Sequence, residues 1–178
     1  MAVLRRALDA VVAGEAAAVV RGVAADEGDP WVLGVAAFAA SWALEHPAAA
    51  SFADRALLAV RADRAPDATS AVLAAAVRGL ASAGTGVAER WDAVAPGSGG
   101  SGDPVLDAVA LLPALPGDDL ARFARSILGE AALACGRVAL SRAIVPDAVD
   151  ARLRLRSDAA HPYEAVMRVL AARVAAFN

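Results

Sequence analysis

The sequence contains no lysine; all 17 basic residues are arginine. Without lysine there is no Walker-A lysine, no Schiff base to pyridoxal phosphate or a carbonyl substrate, and no kinase-type phosphate lysine. Glutamine is also missing and Asn178 is the single asparagine, a bias we attribute to a GC-rich genome rather than to function. Cys135 is the one cysteine, which excludes an internal disulfide and a multi-cysteine zinc site within the chain, and a buried, inert thiol is expected. No G-x-S-x-G, H-E-x-x-H or C-x-x-C motif occurs, and serine, histidine and aspartate are too scattered to propose a triad.

Long apolar runs are also wanting. The hydrophobic content is 58% and the mean hydropathy +0.50, but alanine, above all a helix former, supplies much of both. The central uncharged run, Pro30–Leu44, is short of the roughly 20 residues that a membrane span needs. Arg5, Arg6, Asp9 and Glu15 interrupt the N-terminal stretch where a signal peptide would be apolar, so a cytoplasmic location is expected. A formal charge of −3 and a pI near 5.3 argue against nucleic acid as a partner.

What is present is helical periodicity. In Pro30–His46, PWVLGVAAFAASWALEH, Trp31, Val35, Phe38 and Trp42 fall at i, i+4, i+7 and i+11. Asp29 suits the N-cap and Pro30 the first helical position. This segment is expected to be the central buried helix, with Gly34, Ala37 and Ser41 as a stripe for close approach of a neighbour and His46 complementing the dipole at its C-terminal end. Further helices are expected at Val3–Val12, Glu15–Ala25 and Ala48–Arg64, the last with Phe52, Ala56, Ala59 and Val60 inward. From Leu73, the residues Val77, Leu80, Gly84, Val87 and Trp91 continue a seam. Asp103-Pro104 opens a short helix, Asp118 or Asp119 caps a long pattern over Leu120–Ile144, and Pro162–Phe177 closes the series.

Residues 96–103 form a flexible Gly/Ser-rich loop that separates two halves of similar charge, eight Arg against eleven acids over 1–95 and nine against nine over 96–178. One domain spanning 1–178 is therefore expected. The fold class is all-α, with seven to nine helices in a compact bundle or a short stack of helix pairs. Trp31-Val32-Leu33-Gly34 with Phe38 resembles the opening of a tetratricopeptide repeat, but the Trp-to-Leu spacing is one short and later units lack the signature.

Candidate chemistry is sparse. Gly97-Ser98-Gly99-Gly100-Ser101-Gly102 satisfies G-x-G-x-x-G in letters, but no strand precedes it, so it reads as a plain loop and no cofactor is called for. His46 beside Glu45, and His161 three residues before Glu164, lack the order that helical metal sites use, and no metal site is assigned. Glu15 and Glu130 are the acids nearest apolar faces, where burial raises a carboxyl pKa toward general-acid use. Arg137, Arg142, Arg152, Arg154 and Arg156 alternate with acids and read as a solvated face.

Two functional expectations follow. The first is a non-enzymatic adaptor, accessory or assembly protein that contacts another protein chain or a copy of itself. It demands an exposed apolar patch. The alternative is a small-molecule-binding protein or cofactor-independent enzyme with a pocket near Trp31, Phe38, Trp42, Glu45, His46, Trp91 and Glu130.

Overall fold

The computed structural model describes residues 6, 7, 9–11, 13–62, 67–84, 103–145, 172, 173 and 176. Among them are seven α-helices with defined bounds and no strand: α1 (Ala16–Arg21), α2 (Pro30–Trp42), α3 (His46–Ala62), α4 (Ala68–Gly84), α5 (Pro104–Leu111), α6 (Asp119–Ala134) and α7 (Val138–Ile144), with a 3-10 turn at Leu112–Ala114. The described parts of residues 6–11, and residues 172, 173 and 176, are also helical. The fold is all-α, as the periodicity indicates. No helix among the described residues is long and apolar enough to cross a membrane. Trp91, the Gly/Ser loop up to Gly102, Arg152, Arg154, Arg156, His161, Glu164 and most of Pro162–Phe177 lie outside the described residues.

Helix starts follow local chemistry closely. Asp29 Oδ1 accepts from the amides of Trp31 (2.7 Å) and Val32 (3.2 Å), and Pro30 fills the first position. Asp103 does the same for α5 through the amides of Val105 and Leu106, and Asp118 caps α6 through Ala121. At the head of α4, Asp67 accepts from the Ser70 amide while the Ser70 hydroxyl donates back to the Asp67 carbonyl.

Helix ends hold the differences from expectation. The pattern Leu120–Ile144 is two helices, because Gly136 at φ +76° turns the chain. Its amide donates to the Leu133 carbonyl and that of Arg137 to Ala132, the two bonds of a Schellman motif. The helix begun at Pro30 likewise stops at Trp42 rather than reaching His46. His46 is therefore the first residue of α3, not a C-terminal residue of α2.

The centre of the molecule is α4, not the tryptophan helix. Twelve of the seventeen α4 residues are buried, and α4 packs against α2, α3, α5 and α6. In α2 the buried stretch is Leu33–Ala40. The side facing neighbours in α4 is mostly small: Ser70, Ala71, Ala74, Ala75, Ala76, Gly79 and Ala81 let four helices converge on one axis. At Gly79 the approach leaves no room for a side chain, since a Cβ there would stand 2.8 Å from Val105 Cγ2 and 3.3 Å from Ala131 Cβ. Gly34, in the stripe expected from the sequence, does face α4 but meets Leu73 at an ordinary contact distance of 3.5 Å.

α3 and α4 run antiparallel. Near one end the His46 imidazole covers Gly84, and two turns along Arg78 Nε donates to Asp54 Oδ1 at 2.8 Å. Arg55 ties the turn before α2 to α3 by donating to the carbonyls of Ala25 (3.0 Å) and Glu27 (2.8 Å). The inward face of α3 is Ala49, Ala53, Ala56 and Val60; Phe52 and Ala59, expected inward, are only half-buried.

Candidate functional site

The connection between α2 and α3 gathers four of the seven residues proposed from sequence. Phe38 is buried and meets Phe123 of α6 edge-on, with ring centroids 5.1 Å apart. One turn later Trp42 lies against Phe38, centroids 5.7 Å apart and planes tilted by 45°. This aromatic line leads from the core to the surface, where Trp42 is 49% exposed. Leu44 follows, 75% exposed. Glu45 is exposed, and His46 sits with its ring over Gly84. His46 Nδ1 is buried and has no hydrogen-bond partner.

Leu44 has φ +62°, the one non-glycine residue in the left-handed region among those described. Its amide donates to Ser41 and the amide of Glu45 to Ala40, so it occupies the same position in a Schellman motif that Gly136 holds after α6. Gly14, at φ +92°, fills it again before α1, with the amides of Gly14 and Glu15 donating to Val11 and Ala10. Leucine is thus where glycine is the low-energy choice, and it points into water. Sequence reasoning missed Leu44 because it extended α2 through it.

The remaining proposed residues are elsewhere. Trp31 is half-buried at the opposite end of α2, eleven residues and about 16 Å of helix rise from Trp42, so the two indoles do not share a local pocket. Glu130 is on α6, seven residues and about 10 Å of rise beyond Phe123. Its side chain is 6% exposed and pairs through Oε1 with Arg173, while Oε2 is buried without a hydrogen-bond partner. Burial pushes the Glu130 carboxyl above the usual range, and Arg173 partly opposes this. Glu15, the other acid placed near an apolar face, is exposed: its position precedes α1, where its backbone carbonyl rather than its side chain is used.

One group takes a role unforeseen from spacing, and the thiol expected to be buried is half-buried instead. Arg137, assigned to a solvated arginine face, pairs with Asp103, whose side chain is only 6% exposed. Cys135 is half-buried, its thiol directed at the Gly79 carbonyl at 3.8 Å. Burial raises its pKa, Arg137 lowers it and Asp103 raises it, a net upward shift that keeps the thiol protonated at neutral pH. Among the described residues no three His, Cys, Asp or Glu side chains are grouped as a metal ion would require.

No protein-family model matches the sequence, and no curated protein and no solved structure matches the chain.

Proposed function

We propose that the chain works in the cytoplasm as a non-enzymatic helical adaptor or assembly protein, binding another protein chain through the α2–α3 corner. The observation that supports this reading is Leu44. The left-handed backbone costs a side-chain-bearing residue about 1–2 kcal/mol, and the 75% exposed side chain recovers little of it through burial within the chain. Trp42 adjoins it, half exposed, and tryptophan is among the residue types that most often anchor protein interfaces.

A second copy of the chain is the first partner to test, since two-fold homodimers are the commonest assemblies and the corner carries few charges that would select a partner of opposite sign. Light scattering of wild type and a Trp42→Ser/Leu44→Ser double variant over a range of concentrations provides the test. Mass that rises with concentration in wild type and falls to one chain in the variant supports the reading; equal monomer masses for both exclude self-association through this corner.

The alternative, a small-molecule binder or cofactor-independent enzyme, retains one observation of its own, the buried Glu130 with an unpartnered oxygen and raised pKa. Native mass spectrometry of the purified chain tests it. A retained ligand lost in Glu130→Gln would favour it over the adaptor reading.

A further inference from the structure

The backbone of the α2–α3 corner is tied to α2: the amides of Ala43, Leu44 and Glu45 donate to the carbonyls of Ala39, Ser41 and Ala40. Those bonds fix the shape of the turn but not its position on α4. His46, two residues beyond Leu44, reaches across to α4, with its ring over Gly84 at the last position of that helix. A Cβ at Gly84 would stand 2.5 Å from Nδ1 and 2.6 Å from Nε2 of the imidazole, and closer still to Cε1, so the ring occupies the space that a larger residue would fill. Ala43 and Ala48 also pack on the core, but each brings a single methyl group, which leaves the imidazole the largest of the three side chains. Its Nδ1 is buried without a hydrogen-bond partner, so shape rather than hydrogen bonding at that nitrogen keeps the ring in place.

We infer that His46 is a positioning residue for the proposed interface: its ring, seated on Gly84, sets the α2–α3 corner on α4 and so fixes the direction in which Trp42 and Leu44 face a partner. The role rests on the reading of that corner as a binding surface. A left-handed Leu44 is costly to hold, and a corner kept in one conformation before binding loses less freedom when a partner arrives. Gly84 gives a selective handle on this contact. It is not at positive φ, so alanine suits its backbone, and what its Cβ would meet is the end of a side chain that can swing away. Gly84→Ala therefore dislodges the imidazole without straining the backbone of α4.

Amide hydrogen exchange resolved by residue on the full chain tests this role, using wild type, Gly84→Ala, His46→Ala, the double variant and His46→Phe. Gly84→Ala and His46→Ala should each speed exchange at Leu44 and Glu45 about tenfold, with buried amides of α4 and α6 changing less than about twofold. In the His46→Ala background Gly84→Ala should add nothing, because the ring it displaces is already gone. His46→Phe should keep the corner protected, since it retains a ring and discards only the imidazole nitrogens. Unchanged exchange at Leu44 and Glu45 in Gly84→Ala overturns the inference, as do additive effects in the double variant or a His46→Phe corner as open as that of His46→Ala. Should His46→Ala fail to fold, Gly84→Ala and His46→Phe decide. Light scattering of the same variants reads the interface separately: a monomeric wild type removes self-association, while the exchange results still decide what His46 does to the corner.

Discussion

Leu44 sits where a Cβ is a liability, and its effect is separable from packing because the side chain is exposed. Leu44→Gly should stabilise the chain by about 1 kcal/mol, limited by the greater freedom that glycine brings to the unfolded state. Thermal unfolding checks this, with an expected rise of about 2–4 °C for a chain of this size. If the corner is an interface, the same variant should associate more weakly than wild type. Glu130 supplies a prediction in pH. Its folded pKa is raised above the unfolded value, so the folded state holds the proton more tightly and the residue's contribution is fully present below the unfolded pKa and lost as pH rises through the folded one. Urea midpoints at pH 7 should therefore be higher in Glu130→Gln than in wild type, and the gap should close on acidification toward the ordinary glutamate pKa of about 4.3. A gap that widens toward acid contradicts the assignment. The two influences on the anion differ in sign: burial disfavours it, while attraction to Arg173 offsets part of that cost. Glu130 was legible as an acid on an apolar face, since an amphipathic pattern shows that much; Arg173 was not, because no local spacing links residues brought together only by tertiary structure.

At the scale of the element, starts were more legible than ends. Asp29-Pro30 and Asp103-Pro104 announce helices through short-range chemistry in which the cap and the first helical residue are adjacent. Ends depend on one residue adopting positive φ, and apolar periodicity runs straight through such a residue. The period therefore spans Leu120–Ile144 without a gap and carries the pattern of α2 through Leu44 to His46. At Gly136 a glycine stands at the break and the apolar period still continues past it, while at Leu44 no residue type marks the break at all. The three Schellman turns at Gly14, Leu44 and Gly136 have opposite expected responses to substitution. Gly136→Ala should destabilise by about 1 kcal/mol, and a Cβ there meets no neighbouring atom, so any loss reflects the backbone alone. Equilibrium denaturation of Gly136→Ala beside Leu44→Gly provides the comparison. A Gly136→Ala variant as stable as wild type would show that the turn before α7 is not held at positive φ.

For the whole molecule, the fold class was legible because a period near 3.6 recurs along the chain, but the arrangement of helices was not. Tryptophan and phenylalanine drew attention to α2, whereas the helix that four others surround is rich in alanine, serine and glycine. Bulk and centrality part company here for a geometric reason: helices converge most closely where side chains are smallest, and indoles, seldom wholly enclosed, lie toward the ends of α2. Alanine in this chain is then of two kinds, which composition cannot tell apart: helix-forming filler on open faces, and spacer between axes. The distinction predicts opposite tolerance to growth. Ala76 on α4 is fully buried, and Ala76→Leu must push neighbouring helices apart, with an expected loss of about 1–3 kcal/mol. Gly79→Ala should also destabilise, since its Cβ would crowd Val105 and Ala131, while Gly34→Ala, which finds ordinary contact with Leu73, should be neutral or gain up to about 1 kcal/mol from helix propensity. Ala17→Leu, on the exposed side of α1, should stay within about 0.5 kcal/mol. Denaturant midpoints of the four variants, compared at unchanged m, measure the contrast. If Ala76→Leu and Gly79→Ala unfold at the same midpoint as wild type, the close convergence on α4 is wrong, and with it the position of that helix at the centre.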